Sequence, residues 1–278
     1  MTPEAQSPRA MRRKLTLSGI AAVYVLLGLV LPIGIIVLWS VSNGWFPPSI
    51  LPGAYSLRHW ELFTMDETLF SAFVNSSVIA VAVTLFSMVL AVPTAWGLAR
   101  FQFRAKRLVE LFVLAPLIVP GIVVAVGLGR VFLRMDLAYT IPGVILVQTA
   151  GVLPLTIRIL SGAFEGIPDD LVHAARSLGA RRWQILRHLI LPLGMPAMLA
   201  AGMLSFVGSF EEFERTFIVG APIIQTLPTR LFVNLSASLM MPVASVVSLI
   251  LLIPVLVVFL LGGRYMRDDV MAGGMGKL

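Results

Sequence analysis

At 278 residues, the chain is 58% hydrophobic and only 13% charged, with a formal net charge of +7 and no cysteine. Soluble domains carry charge on about a quarter of their residues, so a freestanding soluble protein is excluded. So are disulfides, thiolate metal sites and a cysteine nucleophile.

The apolar residues come in runs long enough to cross a bilayer, which takes roughly 20 residues each. Residues 1–14 read as a basic, disordered cytoplasmic tail. Six spans are expected after it, over about Leu15–Val41, Leu69–Leu98, Leu108–Leu133, Ala138–Ala163, Leu189–Phe210 and Leu235–Leu261. The expected fold is an all-α polytopic membrane protein, one domain over 15–261 with a cytoplasmic tail at 262–278. The first run is too long for a signal-peptide core and lacks a small-x-small cleavage site near its end, so it is expected to stay as a helix. Pro32, Pro93, Pro116, Pro120, Pro154 and Pro254 interrupt the runs. Membrane helices tolerate this because neighbours satisfy the freed backbone groups. Between the first two spans, Trp39, Trp45, Phe46 and Trp60 sit where amphipathic aromatics settle at an interface.

Basic residues set the orientation. They crowd the N-terminal tail, the segment Arg100–Arg107, the segment from Arg158 to Arg187, and the C-terminal tail. The opposite side holds only Arg58, Arg130, Arg134, Arg215 and Arg230. The positive-inside rule therefore puts both termini in the cytoplasm. Arginines at an anionic inner leaflet account for the basic charge without nucleic acid.

The fourth span carries Gln148 in apolar surroundings. A polar group at that depth either bonds a neighbouring helix or faces a solute path. After this span comes a short polar insert, about 164–188. Pro168 fixes its start, and Asp169 or Asp170 can cap a helix N-terminus. That helix is expected to run to about Leu178 and to end at Gly179 in the left-handed conformation. A second short helix, Arg181–His188 with Arg182 in its first turn, then feeds the fifth span.

At the outer end of the fifth span, Ser209, Glu211, Glu212 and Glu214 form an acidic mouth beside Arg215. On a continued helix, at about 100° per residue, Glu211 and Glu214 share a face and Glu212 diverges. The carboxylates would contact a cationic ligand, form salt bridges or line a solvated rim. No Gly-Lys-Ser/Thr phosphate loop, His-Glu-x-x-His or Gly-x-Ser-x-Gly is present, so catalysis by this chain is not expected.

His173, Ala174, Ala175, Gly179, Leu191 and Pro192 are spaced as in the EAA loop. In this respect the chain resembles the permeases of binding-protein-dependent ABC importers, in which that loop docks onto the ATPase. His173 stands where the family has Glu, and Leu189 where it has Ile. The segment Ser209-Phe-Glu-Glu followed by Gly220 and Leu227-Pro228 is similar to the spermidine/putrescine branch. Carbohydrate permeases usually carry a Trp-Asn-Glu-like sequence there.

The resemblance implies a bacterial inner-membrane subunit working by alternating access, with a polyamine or other small organic cation as cargo and a carbohydrate as the alternative. It implies two ABC ATPase copies, a second homologous permease or a second copy of this chain, and an extracytoplasmic solute-binding protein. ATP and Mg would be bound by the ATPases, with no cofactor on this chain.

Overall fold

The structure is a computed structural model and describes residues 8–45, 48–236 and 240–274. In chain order, α1 (Pro8–Ser40) leads through a two-stranded antiparallel ribbon, β1 (Ser42–Asn43) and β2 (Ala54–Tyr55), to α2 (Arg58–Met65). Then follow α3 (Glu67–Arg100), α4 (Lys106–Ile118), α5 (Gly121–Arg134) and α6 (Ile141–Glu165). The insert holds α7 (Asp169–Ser177) and α8 (Arg182–Ile185), and a π-turn at Leu186–Ile190 joins α8 to α9 (Leu191–Phe210). The short α10 (Glu214–Val219) and α11 (Leu227–Ser236) precede α12 (Met241–Gly274).

Among the described residues, five stretches are long and apolar enough to span a membrane: Val23–Ser40, Glu67–Arg100, Ile141–Glu165, Arg182–Phe210 and Met241–Gly263. The expected third span is not one straight helix. It is broken into α4 and α5, bent by 104°. Pro120 has no N–H to donate and drives the preceding Val119 out of the helical region, to φ −80, ψ 131. With 13 residues before the break and 14 after it, the helix opens halfway along.

Other boundaries moved for local reasons. The tail expected to be disordered to residue 14 is helical from Pro8, and α12 continues through the expected C-terminal tail to Gly274. Residues 1–7 and 275–278 lie outside the described residues. The expected sixth span merged two helices, because Leu235 belongs to the separate α11.

The bundle is built around α3, α6 and α9, which pack on one another. On α3, Ala72, Ser76, Ala80, Val83, Ser87, Ala91 and Ala95 recur every three or four residues and are all buried. Small side chains let the neighbouring backbones come close, which stands in for the hydrophobic drive that lipid does not supply. Asp66 starts α3 by accepting hydrogen bonds from the N–H groups of Thr68 at 2.8 Å and Leu69 at 3.4 Å. Thr140 does the same for α6 through Gly143 N–H at 3.1 Å. One core cluster joins α3, α6 and α9 to the insert through Leu98, Leu160, Phe164, Val172, Ile185 and Ile190. A second closes the opposite end, with Phe210 and Leu227 against α12. The described side chains of α1 are largely exposed, and its backbone packs on α12.

Candidate functional site

Two regions carry the expected site residues, one at each end of α9. In the insert, neither aspartate caps α7. Pro168 occupies the N-cap position with no side-chain bond, while Asp169 and Asp170 stand in the first turn, where carboxylates complement the helix dipole. Asp169 turns instead to Arg100, the last residue of α3, and forms an ion pair with Nη1. Arg100 Nη2 donates to the carbonyl of Ile167 at 2.7 Å. One guanidinium thus fastens the lead-in of the insert to the end of a membrane helix.

The helix stops as its composition dictates. Gly179 adopts φ +83, its N–H donates to Arg176 O at 2.9 Å, and Ala180 N–H donates to Ala175 O at 3.0 Å. These two bonds form a Schellman motif and satisfy carbonyls that the helix end would leave open. His173 and Ala174 are exposed, Ala175 is half-buried against the core, and Val172 is the buried anchor. Leu178 and Trp183 stand out from the surface at 89% and 64% exposure. An open groove of about 410 Å³ runs between the two limbs, lined by Ala175, Gly179, Gln184 and His188 among others.

The second limb is not a separate helix. α8, the π-turn and α9 form one stretch from Arg182 to Phe210. The π-turn ends two residues before Pro192, whose ring would crowd the carbonyl of His188 in a regular helix. Leu191 N–H reaches five residues back to Leu186 O. Leu191 and Pro192 therefore belong to the root of the membrane helix. Arg182 lies with its guanidinium carbon 5.3 Å from the centre of the Phe101 ring.

At the far end of α9 the continued helix that would put Glu211 and Glu214 on one face does not exist. The helix ends at Phe210 and a new one starts at Glu214. Glu212 causes the restart. Its carboxylate accepts the N–H groups of Arg215 at 2.7 Å and Thr216 at 3.0 Å, and the Thr216 hydroxyl at 2.8 Å. Glu212 is buried, Glu211 is exposed, and the Glu214 carboxylate lies against Gly121 at the start of α5.

Gln148 belongs to a buried chain of hydrogen bonds. The Ser209 hydroxyl donates to Gln148 Oε1, Gln148 Nε2 donates to Thr216 Oγ1 at 2.7 Å, and Thr216 donates to Glu212. The chain ties α6, α9 and α10 together, which is the interhelical alternative for Gln148.

Arg215 is the residue that sequence reasoning undervalued, by placing it only beside the acidic mouth. It pairs with Glu212 at 3.4 Å, but its Nε is buried without a partner. It borders a cavity of about 210 Å³ between α6 and α9, together with Gly151, Thr156, Ser205 and Gly208. Thr156 and Ser205 are bonded across the helices at 2.7 Å. Arg215 is the charged side chain on this cavity's lining.

A family model described as binding-protein-dependent transport system inner membrane component matches residues 69–267. The chain belongs to this family. It is a permease subunit of an ABC importer, a multi-pass inner-membrane transport component rather than an enzyme. The permease is 26% identical over 246 residues to the spermidine/putrescine permease protein PotC of Shigella flexneri, covering 88% of this chain and 92% of that one. It is 31% identical over 166 residues to the diacetylchitobiose permease protein NgcG of Streptomyces coelicolor, covering 60% of this chain but only 55% of the relative. Its fold matches a bacterial ABC transporter involved in import of the acidic polysaccharide alginate, with a TM-score of 0.77, 18% identity, and coverage of 95% and 99% of the two chains.

Proposed function

We propose that this permease forms one half of a solute path that works by alternating access. The insert at 164–188 faces the cytoplasm with both termini and seats an ABC ATPase. Two ATPase copies bind ATP and Mg, and this chain holds no cofactor. A second permease, homologous or a second copy, completes the path, and an extracytoplasmic binding protein delivers the solute.

The observation that carries this reading is the insert itself. It is an exposed helix–turn–helix, capped by Gly179, pinned to α3 through Arg100 and continuous with α9 through the π-turn. A push on such an element reaches two membrane helices without being absorbed by a soft loop.

For the cargo, the near full-length likeness to PotC supports a polyamine or other small organic cation. The geometry favours the other class, a carbohydrate or similarly oxygen-rich solute. Glu212 is committed to starting α10, while an under-bonded guanidinium and two hydroxyls line the cavity. The guanidinium donates to oxygen acceptors and repels an ammonium group, whereas both hydroxyl protons are already given, Thr156 to Val152 O and Ser205 to Thr156.

Uptake of labelled spermidine and a labelled disaccharide, in cells with and without this chain, tests both levels. Loss of disaccharide uptake alone supports the geometric reading, and loss of spermidine uptake alone restores the polyamine. Unchanged uptake of both removes these two cargo classes. ATP-independent uptake through this chain would overturn the importer assignment.

A further inference from the structure

The end of the bundle that carries the insert holds a second, partly open pocket, of about 200 Å³, between the last turn of α3, the face of α7 and the start of α8. Trp96, Arg100, Asp169, His173, Arg176 and Arg182 contribute to its walls. Three guanidinium groups and one carboxylate line it, and the carboxylate's side chain is 77% exposed.

Arg100 is the informative member. Its side chain is only 9% exposed, yet its Nε is buried with no hydrogen-bond partner. A buried donor on a cation is costly to leave open, by about 1–3 kcal/mol or more. Arg182 is held by the Phe101 ring, an attraction that leaves its N–H groups free for a further acceptor. The arrangement is built for an anion with several oxygens, which guanidinium forks grip in pairs.

Depth narrows the class of anion. Arg100 ends the 34-residue apolar α3, and Arg182 begins the stretch that becomes α9. Trp96 lies one turn before Arg100. Tryptophan and arginine at the end of a spanning helix mark headgroup level, and basic pockets between membrane helices at that level take lipid headgroups. We infer that this pocket binds the phosphate of an anionic phospholipid. The lipid neutralises the excess guanidinium charge and bridges α3, α7 and α8, so the stiffness of the insert depends on it.

The test uses the importer purified with its partner subunits, in nanodiscs of equal parts phosphatidylcholine and phosphatidylglycerol. Native mass spectrometry then counts retained phosphatidylglycerol. The wild type should retain it, and Arg176→Gln and Arg182→Gln should each weaken retention about tenfold. Arg176→Lys should keep part of it, which separates charge recognition from misfolding. ATP-driven uptake should fall when phosphatidylglycerol is replaced by phosphatidylcholine.

Equal retention by wild type and both Gln variants would overturn the site. Restoration of uptake in pure phosphatidylcholine by inorganic phosphate would assign it to free phosphate instead. Retention by the permease alone that is lost when the ATPase assembles would overturn a lipid in the assembled importer.

Discussion

The guanidinium of Arg215 lies over the backbone of Gly151, so close that a Cβ at Gly151 would fall 2.5 Å from the guanidinium carbon. Its Nη2 also lies 3.5 Å from where a Cβ of Gly121 would stand. Gly151 therefore makes the room in which the cation sits, while the approach of Arg215 to Gly121 is an ordinary contact. Gly121 opens α5 at the break of the third span, so the broken helix, α6 and α10 meet at this side chain.

Gly151→Ala should displace Arg215 and destabilise the permease by about 1–3 kcal/mol through overpacking. Thermal unfolding in detergent reads the loss. Gly151→Ala should cost much less in an Arg215→Ala background than in the wild type, because the crowding partner is gone, whatever Arg215→Ala itself costs by unpairing Glu212. Additive losses in the double variant would show that the two residues are not coupled.

Thr216→Val should be costly for its size. The hydroxyl accepts from Gln148 and donates to Glu212, so its removal leaves a buried amide donor open and strips one bond from a buried carboxylate. A destabilisation of about 2–4 kcal/mol is expected from two such groups. Thr216→Ser, which keeps the hydroxyl, should lose much less in the same melting experiment.

At the insert, Arg100→Gln should reduce ATP-driven uptake far more than Asp169→Asn. Asp169 is largely exposed, and exposed ion pairs contribute only about 0–1 kcal/mol. Arg100 is buried and also holds the carbonyl of Ile167. Uptake normalised to the amount of protein in the membrane distinguishes the two, and equal effects would reduce the clamp to a simple surface pair.

Gly179→Asp places a side chain at φ +83, where an L-residue is strained by about 1 kcal/mol or more. No neighbouring atom lies within 4 Å of a Cβ there, so the chain should still insert and fold. Uptake should be lost while membrane abundance is kept. Normal uptake would sink the coupling role of the insert.

Asp66 gives a pH signature at the start of α3. Its carboxyl is held below the ordinary aspartate range first by the Thr68 hydroxyl, with the Thr68 and Leu69 N–H groups adding to the effect against desolvation. The unfolded chain therefore binds the proton more readily. The cap's stabilisation is complete above the unfolded value, about 3.9, and is lost as pH falls through the lower folded value. Hydrogen exchange at the first turn of α3 should accelerate in that acidic window, and Asp66→Asn should flatten the response.

Hydropathy alone made the membrane bundle legible, because a run of apolar residues has few other stable fates. It also located the insert, whose Pro168 start and Gly179 stop obey local backbone rules that neighbours do not change. The family followed from the spacing of Ala174, Ala175, Gly179 and Pro192. Local rules failed wherever a side chain had a choice of partner. Asp169 could cap a helix or bind a distant cation, and only folding brought Arg100 to it across 69 positions of sequence. Glu211, Glu212 and Glu214 read as one acidic mouth, but Glu212 turns inward to start α10. Pro120 was visible, but whether it would kink a helix or break it by 104° depended on what packs at the break. Burial periodicity and backbone chemistry are encoded residue by residue. The choice among competing hydrogen-bond partners belongs to the assembled bundle.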